Sequence, residues 1–237
     1  MIMKGPMMNE LYKKIRYNLF AAMPKSRESD QKIKDYIRKV RYNLFGRIPV
    51  LGRRSSQGET TKSHERRARE GFFERYCQGS GIDIGYAGDS VVPDVKGWDF
   101  EHGDAQYMNG IDDESFDFVY SSHLLEHLPD MEAALTNWDR ILKPGGYLIL
   151  YLPHRDLYEK KKTLPSLFNT DHVRFFMPKE DEAPDTVGVE ALVKRKFPEH
   201  ELIYCRTCDE GYVNPGDELP SEGEFSIEVV LKKPLHA

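Results

Sequence analysis

The chain has 237 residues, 39% of them apolar and 31% charged, enough for one large domain or a medium domain with an appendage. No run of eighteen apolar residues occurs, which argues against a transmembrane helix, and three cysteines, Cys77, Cys205 and Cys208, are too few for a disulfide framework. The net charge of −5 divides unevenly: residues 1–70 hold 18 basic and 7 acidic side chains, a balance of +11, while residues 71–237 hold 16 and 32, a balance of −16.

In chain order, "MIMKGPMMNELYKK" lacks a continuous apolar stretch with a small-residue cleavage site. No secretory signal is expected, and a reducing, cytoplasmic compartment is. Residues 1–60 read as a basic helical arm and linker. They contain a near-repeat, "IRYNLFAAMP" at 15–24 and "VRYNLFGRIP" at 40–49, each ending a basic helical segment near a proline. Two copies are too few for a solenoid. The expectation is a helical hairpin, solvated or packed on the acidic body, or an arm that contacts a protein partner or an anionic surface.

After the polar linker "LGRRSSQGETTK", the domain proper is expected over residues 62–237. "SHERRAREGFFERYCQG" predicts a helix with Ser63 as N-cap and Gly79 near its end. Strands are predicted at 81–85, 96–100, 115–121 and 146–152. A helix fits 131–142, closed by "KPGG", and another fits 185–197; strands at 201–206 and 225–232 end the chain. Continuous apolar runs alternating with helices predict a mostly parallel sheet covered on both faces.

The first strand runs into a glycine turn, "GIDIGYAGDS". In an open parallel sheet, ligands sit beyond the carboxyl ends of the strands. From Gly85 the sequence is G-Y-A-G-D-S, not G-x-G-x-x-G, and Pro93 leaves room for only a stunted helix. A dinucleotide pyrophosphate would have no helix N-terminus to sit on. Asp83, Asp99 and Asp104 surround the turn instead, and carboxylates repel phosphate while accepting from ribose hydroxyls and amino groups. The site favours a positively charged nucleoside without phosphate, a description that S-adenosylmethionine fits.

The segments "GIDIGYAGD", "GWDF", "GDAQ", "FDFVYSSHLLEHL" and "LKPGGYLILYLPH", in that order, resemble the class I S-adenosylmethionine-dependent methyltransferases, most closely a compact, glycan-associated group with a short first helix. The resemblance covers residues 64–155 well and the tail more loosely, and it implies a Rossmann-like α/β fold with a mostly parallel seven-stranded sheet. Ala87 stands where the family's glycine pattern has its middle glycine. By position, the resemblance places Asp83 and Gly85 at the methionine end with Tyr86 beside them, Asp99 on the ribose hydroxyls, Asp104 and Ala105 at the adenine, and Ser121 under the cofactor. The plainer alternatives are that Asp83 orders the turn and Asp104 caps one.

His123, Glu126 and His127 follow the third long strand at i, i+3 and i+4, and share a face if a helical turn forms. Two mechanisms fit. A histidine, His127 first and His123 second, acts as general base on an acceptor hydroxyl. Alternatively Glu126, His127 and a later histidine, His172, bind a divalent ion such as Mg or Mn. The spacing resembles the E-x-x-E-H of small-RNA 2′-O-methyltransferases, with His123 in place of the first glutamate. Glu126 and His127 are otherwise local caps. Residues 155–184 form a long irregular insertion, expected to bind the acceptor, and "CRTC" at Cys205–Cys208 reads as ordinary thiols, lacking a second C-x-x-C.

The expected reaction is methyl transfer to oxygen, with a small-molecule or glycan acceptor containing sugar. RNA is the alternative acceptor, disfavoured by the acidic body, and a non-catalytic scaffold recruiting a glycan-assembly partner is the third reading.

Overall fold

The computed structural model describes residues 58–235. The expected arm, its near-repeat and most of the linker lie outside the described residues. Within them, the strands in chain order are β1 (Gly81–Ile84), β2 (Lys96–Trp98), β3 (Phe116–Ser122), β4 (Leu142–Pro153), β5 (Phe175–Met177), β6 (Thr186–Gly188), β7 (Glu201–Cys208) and β8 (Ser226–Lys232). The helices are α1 (Glu59–Lys62), α2 (His64–Arg69), α3 (Phe72–Tyr76), α4 (Met131–Arg140) and α5 (Val189–Lys196).

The main sheet has the order β2-β1-β3-β4-β8-β7. Pairing is parallel from β2 through β4, and β8 runs antiparallel to both its neighbours. Six strands therefore stand where seven were expected. The stretch between Asp104 and Ser115 has no segment able to supply another: its backbone closes turns, with Met108 N bonding Asp104 O and Ile111 N bonding Met108 O. A separate parallel pair, β5 with β6, forms outside the main sheet.

Alternation along the central strands sorts the core into two faces. Val119, Leu148, Leu150, Ile227 and Val229 join Leu135 and Trp138 of α4 and Leu192 of α5 in one cluster. Phe118, Tyr120, Ile149, Tyr151 and Val230 join Phe72 and Tyr76 of α3 in the other. Helices cover both faces, as continuous apolar runs require.

The single helix expected from Ser63 to Gly79 is broken into α2 and α3, and α1 lies before it, in the stretch read as linker. Gly71 takes φ +63° between α2 and α3, a conformation that costs glycine little. Ser63 stands at the N-cap position of α2 but its side chain does not cap it: its backbone is helical (φ −83°, ψ −6°) and its hydroxyl donates to Thr60 O at 2.8 Å. Ion pairs seat α2 on the sheet. The buried Glu228 carboxylate accepts from Arg67 Nε at 2.7 Å, Arg66 Nη1 at 3.2 Å and Arg206 Nη2 at 2.8 Å, and these cations hold its carboxyl down to about 2.

Three other boundaries differ. β2 stops at Trp98 because Asp99 caps a 3₁₀ turn over Phe100–His102. The expected helix at 185–197 begins only at Val189, since the preceding residues pair as β6. "KPGG" follows α4 as a bulge within β4, where Gly145 N donates to Lys233 O at 3.1 Å. The insertion is less irregular than expected: it holds a π turn, Arg155–Glu159, and β5.

Candidate functional site

The carboxyl end of β1 opens directly into the glycine turn, and no helix stands between β1 and β2. Gly85 has φ +80°, its N–H donates to Trp98 O at 2.7 Å, and a Cβ there would lie 2.9 Å from Leu124. This is a position where only glycine lets the turn lie against the segment after β3. Ala87 takes the left-handed φ of +47° that the missing glycine would adopt, and its N–H is held by Asp99 Oδ2 at 3.1 Å. At Gly88 an added Cβ would meet nothing within 4 Å, so this face of the turn is open. The ring of Tyr86 covers Gly97 of β2, where a Cβ would come 2.6 Å from it.

Asp99 is half-buried, and both its carboxylate contacts are to backbone: Phe100 N at 2.7 Å and Ala87 N at 3.1 Å. It thus stands beside the turn. Asp83 is fully buried; Oδ2 accepts from Val91 N at 2.8 Å, Oδ1 has no hydrogen-bond partner, and burial pushes its carboxyl up to about 7. It braces the turn from beneath. Ser121, opposite Ile84 in the β1–β3 register, donates to Ile84 O at 3.0 Å and locks the two strand ends together. Asp104 Oδ1 accepts from Gln106 N at 2.8 Å, and Ala105 O takes the Trp138 indole N–H at 2.8 Å. That pair is anchored to α4, and Asp104 does order a turn. Sequence reading passed over Phe100, an aromatic side chain 45% exposed directly after Asp99, because an isolated Phe at a strand end has no periodic signal.

Beyond β3 the chain turns sharply at His123 (φ +47°) and forms a 3₁₀ turn over Leu125–His127. The turn starts too late for His123 to share the face of Glu126 and His127. Instead His123 Nε2 meets Ser226 Oγ of β8 at 2.8 Å, with its ring beside Tyr158 and Phe225, and burial holds its pKa well below the usual histidine value. Glu126, His127 and His172 do come together, each offering a ligand atom within 4.8 Å of the others. Glu126 Oε1 lies 3.7 Å from His127 Nε2 and 3.8 Å from His172 Nε2, and the two imidazoles meet edge to face at 4.6 Å. The Glu126 carboxylate is fully buried with no hydrogen-bond partner on either oxygen, and desolvation pushes its carboxyl up to about 7.

The insertion delivers His172 to this place. Val173 N donates to Glu126 O at 2.9 Å, which fastens the loop to the 3₁₀ turn, and Arg174 Nη1 reaches Leu125 O and Leu128 O at 2.6 Å. Glu159, at the end of the π turn, shares a hydrogen bond with His172 Nδ1. It carries no signal in the sequence, since only the fold brings it to His172. Two lysines of the insertion are engaged locally: Lys160 Nζ bonds Asn214 Oδ1 at 2.7 Å and Lys161 Nζ bonds Pro165 O at 2.7 Å. Cys205 and Cys208 are free thiols, with Cys205 Sγ on Pro178 O at 3.3 Å.

No helix among the described residues is long and apolar enough to cross a membrane.

Residues 66–150 match the family model described as "Methyltransferase domain". Over 68 residues the chain is 41% identical to an uncharacterized protein of Escherichia coli (strain K12), YafE, a stretch that is 26% of this chain and only 32% of that protein. Among solved structures, it is similar to an S-adenosylmethionine-dependent methyltransferase of Thermotoga maritima, with 19% identity, 84% of this chain and 97% of that one covered, and a TM-score of 0.43. It is also similar to one of Methanosarcina mazei, with 15% identity, coverage of 70% and 98%, and a TM-score of 0.42.

Proposed function

With residues 66–150 forming a methyltransferase domain, we propose that this chain transfers a methyl group from S-adenosylmethionine to a hydroxyl oxygen of a sugar-containing acceptor. The observation that carries the reading is a contact: the glycine turn lies against Leu124, directly before the turn that presents Glu126 and His127. Donor face and acceptor face therefore adjoin.

When bound, S-adenosylmethionine supplies a methyl carbon on a positively charged sulfur. The residues suited to hold it are those around the turn. Asp99 has lone pairs left for ribose hydroxyls, and the open face at Gly88 leaves room for the ligand. Bound there, it would offer that carbon to the acceptor oxygen, with the electron pair of the carbon–sulfur bond leaving on sulfur as S-adenosylhomocysteine. The hydroxyl proton passes to His127 Nε2, with the Glu126 carboxylate 3.7 Å away to stabilise the imidazolium. Positioning supplies much of the rate in such a displacement.

Glu126, His127 and His172 also fit a divalent ion. Two buried carboxylate oxygens without partners, facing two imidazoles, are the donor chemistry a cation satisfies. An ion there, Mn²⁺ or Mg²⁺, would lower the pKa of vicinal hydroxyls. The clustered polar side chains of Glu126, His127 and His172 favour a hydroxyl-rich acceptor.

The test is incubation of the full chain with methyl-labelled cofactor and a panel of sugar nucleotides, with and without chelator. Label on a sugar hydroxyl is expected, and its loss on chelation with recovery on adding Mn²⁺ assigns the ion. Label that appears only on RNA would replace the acceptor, and transfer indifferent to chelation would leave His127 as base without metal.

A further inference from the structure

Glu159 has no part in the chemistry above, yet its environment is unusual. The side chain is 1% exposed, Oε1 is bonded to His172 Nδ1, and Oε2 has no hydrogen-bond partner. The cations nearby in the chain are committed elsewhere. Arg155 pairs with Asp156 and Glu182, Lys160 bonds Asn214, Gly216 and Leu219, and Arg174 bonds the carbonyls of Leu125, Leu128 and Pro129. The ion pairs of Glu126 and Glu159 are with histidines. A carboxylate buried for packing alone would leave a large desolvation cost without return.

The hydrogen-bond inventory decides what the contact does. An ionised carboxylate only accepts, so the shared proton belongs to His172 Nδ1. In a neutral imidazole Nε2 is then an acceptor. It faces Glu126 Oε1 at 3.8 Å, too long for a hydrogen bond, and both Glu126 oxygens lack donors. The Nε2 lone pair thus faces the Glu126 carboxyl across a gap. The His172 ring is held in this pose by Tyr158, whose ring centre lies 5.5 Å away, and by the bond from His172 N to Asn169 O at 3.1 Å.

We propose that Glu159 is the positioning residue of this pocket: by holding the Nδ1 proton of His172 it fixes the tautomer whose Nε2 lone pair is directed at the space shared with Glu126 and His127. The proposal rests on the reading of that space as the reacting, cation-binding end. Glu159 touches neither acceptor nor cofactor and acts through His172 alone. A partner of this kind orients a ligating imidazole and raises its basicity.

The experiment compares the full chain with Glu159→Ala and Glu159→Gln. Nitrogen-15 spectra of the metal-free proteins, with the His172 signals identified by their loss in His172→Gln, read the tautomer directly. Wild type is expected to carry its proton on Nδ1 with Nε2 bare. Glu159→Gln, whose amide oxygen still accepts, is expected to keep that pattern, and Glu159→Ala is expected to show a tautomer mixture. In parallel, Mn²⁺ titration followed by electron paramagnetic resonance is expected to show affinity about 10- to 100-fold lower in Glu159→Ala, with Glu159→Gln between it and wild type. Cofactor affinity by calorimetry is expected to be unchanged in both, which a general collapse of the fold would not allow. A wild-type proton on Nε2, or an unaltered tautomer in Glu159→Ala, overturns the proposal. Failure of the wild-type chain to take up Mn²⁺ counts against the metal in the proposed function, while the tautomer comparison still decides the role of Glu159.

Discussion

Asp99 and Asp83 show how two carboxylates a short distance apart in sequence acquire different tasks from their surroundings. Asp99 spends one oxygen on Phe100 N–H and the other on Ala87 N–H, and being half-buried it keeps lone pairs toward the open face of the turn. Asp99→Ala is expected to lower S-adenosylmethionine affinity about 10- to 100-fold, the worth of about 1.5–3 kcal/mol for hydrogen bonds to a charged group. Full affinity by calorimetry would place the ribose elsewhere. Asp83 is held in the dark beneath the turn, and its cost is set by pH. Its carboxyl is raised from 3.8 to about 7 by burial, so between those values the folded chain binds more protons than the unfolded one. Stability contributed by this group therefore falls as pH rises from about 4 to about 7 and levels off above, by roughly 4 kcal/mol at ~1.4 kcal/mol per decade. Asp83→Asn keeps an acceptor for Val91 N–H and cannot ionise. Urea unfolding at about pH 8 is expected to find it more stable than wild type, with the difference shrinking toward about pH 5. An advantage independent of pH would mean Asp83 is not the titrating group.

At the scale of elements, what the sequence disclosed and what it hid follow from the range of the interactions. β1, β3, β4 and β8 were legible because largely buried strands read as apolar runs, and Asp83, Gly85, Asp99 and Ser121 were placed together by the family resemblance. The seating of α2 on the sheet was not legible, because it depends on Arg66 and Arg67 reaching carboxylates more than 150 residues away, with separations of 158, 161 and 162. The same holds at the reacting end. Glu126 and His127 were visible as a spaced pair and His172 as a candidate, but the swing of His123 to Ser226 depends on a strand 103 residues on. Glu159 depends on a turn that no periodicity marks. The α2 anchor can be tested by Glu228→Gln. Removing this charge leaves Arg66, Arg67 and Arg206 around a neutral amide, and loss of one partner from a buried ionic cluster costs about 3–5 kcal/mol. The urea midpoint is expected to drop accordingly, whereas a change within about 0.5 kcal/mol would show that α2 is held by its apolar contacts alone.

Across the whole molecule, the proposed choice of ligand rests on the charge balance and the geometry of the sheet edge. Residues 71–237 carry a balance of −16, and this acidic body surrounds a turn that is followed by no helix. Among the described residues, a nucleotide that needs phosphate neutralised finds no helix N-terminus directly after the turn. S-adenosylmethionine carries an ammonium, a sulfonium and one carboxylate and is a net cation, while S-adenosylhomocysteine lacks the sulfonium charge and is net neutral. Both fit the same ribose and adenine contacts, so they are expected to compete for one site. Their salt responses are expected to part. Raising ionic strength from about 0.05 M to about 0.5 M shortens the screening length from roughly 14 Å to about 4 Å. The attraction of the acidic body for the cationic donor is thereby weakened, while the neutral product is left nearly unaffected. Calorimetry with the two ligands at both salt concentrations, alongside ATP and NADH, measures this directly. Donor affinity that falls with salt, product affinity that does not, and no heat from the phosphate-bearing ligands are the expected results. An ATP or NADH isotherm displaced by S-adenosylhomocysteine would mean that the carboxylates at this edge do not choose the ligand.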